Sequence, residues 1–183
     1  MEAETDSRNL IDKFKGMPNE AIVAELDKTR IPLEIAIENL AHDFNIGTIV
    51  RNANAFNVAR VHILGKRKYN RRGAMVTDKY LHIDHFATVA EFVADAHARG
   101  MQIVAVDNNR PEARPLQQTR LQPNSILVFG SESDGISQEL LDQADAAFYI
   151  EQLGSTRSIN VGCASAVAIY EAVRQLGFLP HDA

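Results

Sequence analysis

The spacing of apolar residues changes repeatedly along this chain between a short and a long period. Compact runs rich in valine, isoleucine and phenylalanine, such as 101–106 and 125–129, predict buried strands. Between these runs, apolar residues recur every three or four positions, which predicts amphipathic helices. In chain order we predict two short helices within 9–28, a strand at 33–38, a helix at 46–56, strands at 60–64 and 81–86, a helix at 88–98, strands at 101–106 and 125–129, a helix from Ser137 to 143, a strand at 146–150 and a last helix at 160–176.

Strands that alternate with helices predict an α/β fold, in which a mostly parallel sheet carries helices on both faces. The length of 183 residues and the hydrophobic content of 45% favour one domain, with 1–32 as an N-terminal tail with short helices and 33–183 as the main body. A domain of this size buries about 70% of its unfolded surface, so it needs no disulfide. The one cysteine, Cys163, lies among apolar residues and is predicted to be buried.

Neither membrane insertion nor metal binding is expected. No apolar run approaches the ~20 residues that cross a bilayer, and the acidic start of the chain is unlike a signal peptide. We therefore expect a soluble cytoplasmic protein. Within the predicted strand at 81–86, His82 and Asp84 would share one face while His85 points away. This cluster is therefore not expected to hold a metal ion.

Charge is unevenly distributed along the chain. The net charge of −5 argues against indiscriminate binding to nucleic acid, yet 66–72 hold five positive charges in seven positions. A solvated loop would explain such a run. The alternative is a phosphate-binding patch, with Tyr69 available to stack on a base, that would contact RNA on one face. The residues of this patch are Lys66, Arg67, Lys68, Tyr69, Arg71 and Arg72.

The notable polar segments each follow a predicted strand. They are 39–45, 65–73, 130–135 and 152–158. Because ligands of α/β proteins bind beyond the carboxyl ends of parallel strands, these segments are the candidates for a functional site.

The first candidate motif consists of Asn45 and Arg51. Asn45 stands at a predicted helix start, and Arg51 lies nearly two turns further on, so both could face a cleft at the sheet edge. They could equally be a helix N-cap and a solvent-exposed arginine. Because Arg51 lies among apolar and small residues, we expect its charge to have a partner.

The second candidate motif is the acidic loop at 129–136, in which Gly130 and Gly135 flank Glu132. Glycine lets the backbone approach a ligand closely, although a tight turn with a solvated glutamate is the alternative. The phosphate-binding Gly-x-x-x-x-Gly-Lys-Ser/Thr pattern is absent, as is Gly-x-Gly-x-x-Gly. Their absence disfavours a P-loop and a standard dinucleotide site.

The third candidate motif is the segment 150–162, which reads as a loop that runs into the last helix. Ser158 stands where a helix N-cap is expected, and Asn160 follows it. The free N–H groups at a helix start attract a carboxylate or a phosphate, although an ordinary cap is the alternative.

Taken together and in this order, the three motifs resemble those of the SPOUT superfamily of RNA methyltransferases, specifically its SpoU or TrmH-like branch. The resemblance covers roughly 33–177. Three residues depart from the usual pattern. Ser133 replaces a glycine of the middle motif, and Glu151 and Gly162 stand where the family often has proline and serine.

The resemblance implies a C-terminal trefoil knot, S-adenosylmethionine as cofactor, and methyl transfer to a ribose 2′-hydroxyl of structured RNA. Transfer RNA is slightly favoured over ribosomal RNA. The implied cofactor-binding residues are Leu127, Phe129, Gly130, Ile150, Leu153, Ser158 and Ile159. The implied catalytic residues are Arg51, Asn45, Glu132, Ser158 and Asn160.

The resemblance also implies a homodimer. Small residues at Ala164, Ala168 and Ala172 would permit close approach of a second helix, or ordinary core packing.

Arg51 has two possible roles under this resemblance. The family gives its arginine the role of general base, which would need help from an RNA phosphate because a guanidinium has a pKa above ~12. Alternatively, Arg51 fixes a phosphate and stabilises charge while another group takes the proton. Two alternatives share the fold: a catalytically silent RNA-binding module and a SPOUT enzyme that methylates a base. A third is a small-molecule α/β enzyme or a flavodoxin-like domain, which the missing phosphate motif and the basic loop at 66–72 disfavour.

Overall fold

The computed structural model describes residues 10–39, 45–131, 134–155 and 158–179. The described helices are α1 (Asn19–Asp27), α2 (Asn45–Ala55), α3 (Val89–Ala98), α4 (Gln138–Gln143) and α5 (Val161–Gln175). The described strands are β1 (Ile31–Asn39), β2 (Val58–Gly65), β3 (Ile83–Phe86), β4 (Gln102–Val106), β5 (Arg114–Pro115), β6 (Ser125–Phe129) and β7 (Ala146–Tyr149). Short 3-10 helices cover Asp12–Phe14, Arg71–Ala74, Thr77–Tyr80 and Leu116–Gln118.

The strands form one seven-stranded sheet in the order β3-β2-β1-β6-β4-β7-β5, and the described strand pairs are all parallel. This confirms the predicted α/β fold. The chain places β1 and β6 side by side at the centre, although four strands of the sequence separate them. The knot implied by the resemblance stays a prediction.

Two apolar clusters cover the two faces of the sheet. On one face, α2 and α5 pack against β1, β2 and β6, and on the other α3 and α4 pack against the same central strands. The predicted arrangement of helices on both faces is therefore confirmed. Because both faces are covered, β1 is buried along its length apart from Pro32. The polar positions of its alternating pattern, Glu34 and Glu38, are consequently inside the protein.

Buried Glu34 is hydrogen-bonded to two side chains from neighbouring elements. Arg99 donates two hydrogen bonds to its carboxylate, at 2.8 and 2.9 Å, and His62 Nε2 lies 2.7 Å from Glu34 Oε2. Burial alone would raise the pKa of Glu34, but the hydrogen bonds and charges of His62 and Arg99 outweigh it and lower the pKa to about 2. These hydrogen bonds of Glu34 join β1 to β2 and to the end of α3.

The lowered pKa of Glu34 predicts a measurable loss of stability in acid. A carboxylate with a lowered pKa stabilises the fold above its ordinary value of 4.5, and that contribution disappears as the pH falls toward about 2. The wild type should be more stable than Glu34→Gln at pH 7, and the difference should shrink over this range. Urea unfolding of both proteins between pH 7 and pH 2 measures it. A difference that stays constant with pH would contradict the assignment.

Most predicted elements are confirmed to within two or three residues, and the two short helices predicted within 9–28 are the 3-10 helix Asp12–Phe14 and α1. The sequence did not predict β5 or the 3-10 helices after β2 and β5. Two-residue strands and single turns carry too little pattern to be detected. Cys163 was predicted to be buried, and this is wrong: it is exposed, because it lies on the outer side of α5. Ala168 and Ala172 are fully buried, so these two small residues serve core packing.

The described residues include neither a membrane-spanning helix nor a metal-binding cluster. Among them, no helix is long and apolar enough to cross a membrane. Within the same ranges, histidine, cysteine, aspartate and glutamate form no cluster that could hold a metal ion. The residues His82 and Asp84 are instead engaged by Asp27 and Arg60, respectively.

Candidate active site and basic surface

A cavity of about 450 Å³ opens beyond the carboxyl ends of β4, β6 and β7, beside the start of α5. Its volume is within the usual range for small-molecule sites. The lining residues come from four segments and are Val106, Asp107, Asn108, Asn109, Gly130, Ser131, Asp134, Gly135, Tyr149, Ile150, Gln152, Ser158, Ile159, Asn160, Val161 and Ala164. The second and third candidate motifs therefore meet here.

Backbone hydrogen bonds and two glycines fix the shape of the loop after β6. Ser131 and Gly135 exchange backbone hydrogen bonds of 2.9 and 3.1 Å. A Cβ atom at Gly130 would overlap the Gly135 carbonyl group, so no other residue fits there without moving the backbone. Gly135 has φ +69°, a conformation that L side chains rarely adopt. The glycines are therefore needed for the shape of this cavity wall.

Asp107, just after β4, supports the same loop. Its carboxylate accepts hydrogen bonds from the backbone N–H groups of Asn109, at 2.7 Å, and Ile136, at 3.4 Å. None of the three candidate motifs includes this part of the lining. The signal was available, because the segment 107–109 is polar and directly follows a buried strand.

The N-cap of α5 is Asn160, and the expectation that Ser158 caps this helix is wrong. The side chain of Asn160 accepts a hydrogen bond of 3.2 Å from the Cys163 N–H. Its amide nitrogen donates one of 3.0 Å to the Asn45 side-chain oxygen. This contact joins residues 115 positions apart and connects the first candidate motif to the third.

Arg51 projects from α2 into solvent. The core-facing residues of α2 are Ile46, Gly47, Ile49, Val50 and Ala53, whereas Arg51 is exposed. It makes no hydrogen bond or ion pair with the residues that the structure describes. The expectation that its apolar neighbours would force a partner on it is therefore not met among the described residues. An exposed guanidinium keeps its charge, so it is available to an anionic ligand.

The residues that the resemblance assigns to the cofactor fall into two groups. Gly130, Ile150, Ser158 and Ile159 line the cavity together with the catalytic candidate Asn160. The other three do not: Leu127 and Phe129 are buried in the core, and Leu153 is 95% exposed beside a second hollow. Glu132 lies outside the described residues. The roles of these residues in binding or catalysis stay predictions.

The departure at Gly162 is accommodated by a neighbouring side chain. A Cβ atom at Gly162 would lie 2.9 Å from Cγ2 of Thr48. The Thr48 methyl group, on α2, therefore occupies the space that a larger residue at position 162 would need. Glu151 accepts a hydrogen bond of 2.8 Å from Gln117 at the protein surface. Ser133 lies outside the described residues.

The basic loop, residues 66–72, is anchored to the sheet and to α2. The Asn39 amide donates hydrogen bonds to the backbone oxygens of Lys66 and Lys68. Gly47 and Gly73 pack against one another, and a Cβ atom at Gly47 would lie 2.8 Å from backbone atoms of the loop. This glycine contact places the loop directly beside the helix that carries Arg51.

The side chains of the predicted RNA patch are not equally available. Lys66, Arg67, Lys68 and Arg72 are exposed. Tyr69 is half-buried against the core, where burial raises the pKa of its hydroxyl despite the opposing charge of Arg71. Its ring is therefore less free to stack on a base than the sequence suggested. Arg71 forms an ion pair with Asp78, whose side chain is buried.

This difference predicts two separable effects in the basic loop. Arg71→Gln should lower stability by about 1 kcal/mol, because it leaves the buried Asp78 carboxylate without its partner. Arg72→Gln should leave the melting temperature unchanged but reduce the slope of log affinity for RNA against log salt by about one. Thermal unfolding and RNA titrations at several salt concentrations measure both. Equal melting temperatures for the two variants would contradict the structural role of Arg71.

The sequence of this chain is similar to those of known proteins. The model of the SpoU rRNA Methylase family matches residues 32–170. A tRNA (guanosine(18)-2′-O)-methyltransferase of Escherichia coli (strain K12) is 34% identical over 161 residues, which cover 85% of this chain and 69% of that protein.

Two solved structures are similar as well. The TrmH/SpoU tRNA modifying enzyme of A. aeolicus has a TM-score of 0.74 at 27% identity and covers 86% of this chain and 81% of its own. A structure described as giving insights into 2-OH methylation of C/U34 on tRNA has a TM-score of 0.70 at 25% identity, and covers 80% of this chain and 97% of its own.

Proposed function

This chain belongs to the SpoU rRNA Methylase family and is an S-adenosylmethionine-dependent RNA 2′-O-methyltransferase, and we propose that its substrate is a transfer RNA. Two similarities support transfer RNA. The relative at 34% identity is named as a methyltransferase of guanosine 18 of tRNA, and a similar structure, 97% of whose chain is covered, concerns position 34 of tRNA. Guanosine 18 is the first position we propose, because the sequence similarity to that enzyme is higher.

The observation that carries the proposal is the link between Asn45 and Asn160. It joins the cofactor-sized cavity to the helix that presents Arg51, at the sheet edge where the basic loop is anchored. A site for RNA methylation needs these parts adjacent: a pocket for the methyl donor, a polar group for the ribose, and cations for the backbone.

The cavity residues fit S-adenosylmethionine. Gly130 and Gly135 pack against each other in one wall of the cavity, and the cavity volume of about 450 Å³ suits a ligand of nucleoside size. Gly130, Ile150 and Ile159 would hold the cofactor, with Ser158 beside them. When bound, the cofactor supplies a methyl group on a sulfonium, which is a good electrophile.

We assign Arg51 to the phosphate next to the target ribose. Its guanidinium is exposed and has no partner among the described residues, which suits an anion-binding role better than that of a base. It would fix the RNA backbone and stabilise negative charge on the 2′-oxygen, while the proton leaves to another group. Asn45 and Asn160 would orient the ribose.

Mass spectrometry of methylated RNA tests the proposed substrate. The purified protein is incubated with S-adenosylmethionine and either total tRNA or ribosomal RNA, and nucleoside fragments are mapped. We expect 2′-O-methylguanosine at position 18 of tRNA. Ribose methylation at position 34, or in ribosomal RNA alone, would overturn the proposed site or substrate. A methylated base would overturn the ribose assignment, and no methylation despite calorimetric binding of S-adenosylmethionine would indicate a silent module.

We further propose that two copies of the chain form a dimer through the outer face of α5. Val167, Tyr170 and Phe178 are about half exposed, and Leu153 is 95% exposed. Three of these four border a hollow of about 420 Å³. Contiguous exposed apolar side chains of this kind are typical of protein–protein interfaces. Leu153 belongs to the loop that also supplies Ile150 to the cavity, so a partner would adjoin the cofactor wall.

Light scattering tests the dimer. The wild type should have twice the chain mass of 20.3 kDa at micromolar concentration, and Tyr170→Glu should be monomeric. A wild-type protein that stays monomeric at the highest measurable concentration would contradict the proposal.

A further inference from the structure

Helices α2 and α5 meet along a polar line of contacts that we call the α2–α5 seam. Its members are Asn45, Thr48 and Asn52 on α2, and Asn160, Gly162 and Ser165 on the α5 side. Successive α2 members are separated by three and four positions, so they lie on one face of the helix. At the middle of the seam, Gly162 brings the helices close enough for Thr48 to touch the α5 backbone.

Asn52 makes the strongest connection of the seam. Its amide nitrogen donates to the Gly162 backbone oxygen, at 2.8 Å, and to the Ser165 hydroxyl, at 2.9 Å. The Ser165 hydroxyl donates in turn to the Gly162 oxygen, at 2.7 Å. Ser165 is fully buried, so water does not compete for these bonds. The three groups form a closed network between the two helices.

The seam controls the direction of Arg51. Successive residues of an α-helix are about 100° apart, so Arg51 lies one step around α2 from Asn52. Arg51 itself makes no contact that would aim it among the described residues. The rotation of α2 against α5 therefore decides where the guanidinium points. The α5 side of the seam is also part of the cavity wall, since its member Asn160 lines the cavity.

We propose that Asn52 is a positioning residue for methyl transfer, which holds Arg51 in register with the cofactor cavity through Gly162 and Ser165. The inference rests on the proposed function. Asn52 does not line the cavity and is not part of the basic loop. Replacing its side chain should therefore leave both binding surfaces in place. Its effect is on the geometry of the reaction, to which catalysis is sensitive at the level of 1 Å.

The test compares Asn52→Ala, Asn52→Asp and Ser165→Ala with the control Asn54→Ala, using the full chain and, as substrate, the unmethylated form of the tRNA that it methylates. Asn54 lies on the same helix, is half-buried, and makes no side-chain hydrogen bond to described residues. Asn52→Ala should lower kcat about tenfold, while KM for tRNA and the Kd of S-adenosylmethionine stay within about twofold. Asn52→Asp keeps the shape but cannot donate, so it should lose as much. Asn54→Ala should match the wild type.

Ser165→Ala keeps the Gly162 bond and should lower kcat only about threefold. The double variant with Asn52→Ala should be no worse than Asn52→Ala alone, because both act through one network. An unchanged kcat in folded Asn52→Ala, or a loss carried by KM or Kd, would overturn the inference. If Asn52→Ala does not fold, an unchanged kcat in Ser165→Ala would overturn it. A wild type that methylates no RNA would refute the proposed function, and the inference with it.

Discussion

Replacing Arg51 with alanine should reduce kcat for methyl transfer about 100-fold or more, while the fold and the affinity for S-adenosylmethionine remain. The size of the loss is that of removing one preorganised charge from a developing oxyanion. The fold should survive because Arg51 is exposed and makes no contact with the described residues. Single-turnover rates on tRNA measure the effect, and calorimetry and thermal unfolding check the rest.

A second variant, Arg51→Lys, separates the two roles of Arg51. Lysine keeps the charge but loses the forked, bidentate geometry, so we expect an intermediate rate when the residue binds phosphate. If it acted as a base, the lysine variant would gain rate with pH toward its own pKa, near 10.4. The absence of such a rise near pH ~10 in this variant supports the phosphate role. Near wild-type turnover in Arg51→Ala would refute both roles.

Replacing Gly130 with alanine should weaken S-adenosylmethionine binding about 100-fold. The added methyl group would overlap the Gly135 carbonyl, and neither backbone can withdraw while the Ser131–Gly135 hydrogen bonds persist. Overpacking of this kind costs about 3 kcal/mol, which corresponds to about two powers of ten in affinity. The loop would have to open, which displaces the cavity wall. Isothermal titration with S-adenosylmethionine measures the loss.

The matched control for this variant is Gly154→Ala. A Cβ atom at Gly154 meets nothing within 4 Å, and Gly154 does not line the cavity. The same chemical change there should leave the affinity within about twofold. A Kd for Gly130→Ala close to that of Gly154→Ala would show that the closed loop is not part of the cofactor site.

The sequence was most reliable where a signal repeats. The strands 102–106 and 125–129 and the helix 89–98 are long or strongly apolar enough that burial alone determines their form. Short elements such as β5 have no such repetition. Cys163 was misjudged because its immediate neighbours are apolar, whereas exposure on a helix depends on the angular position of each residue.

The sequence located some residues of the candidate site but not others. The sequence placed Gly130, Ser158 and Asn160 at strand ends and a helix start, and the structure brings them to one cavity. It did not distinguish these from Leu127 and Phe129, which lie in the same segment but are buried in the core. Alternate residues of a strand face opposite ways, and only the packed sheet decides which of them reaches a ligand.

By itself, then, the sequence determined the α/β fold and the family of this protein, because both depend on local pattern and on ordered motifs. The tertiary structure alone decided how these motifs cooperate. Asn45 and Asn160 are 115 positions apart, and the Asn52 network joins segments separated by 110 and 113 positions. Contacts of this range depend on the crossing of whole helices over the sheet, which no local pattern of residues specifies.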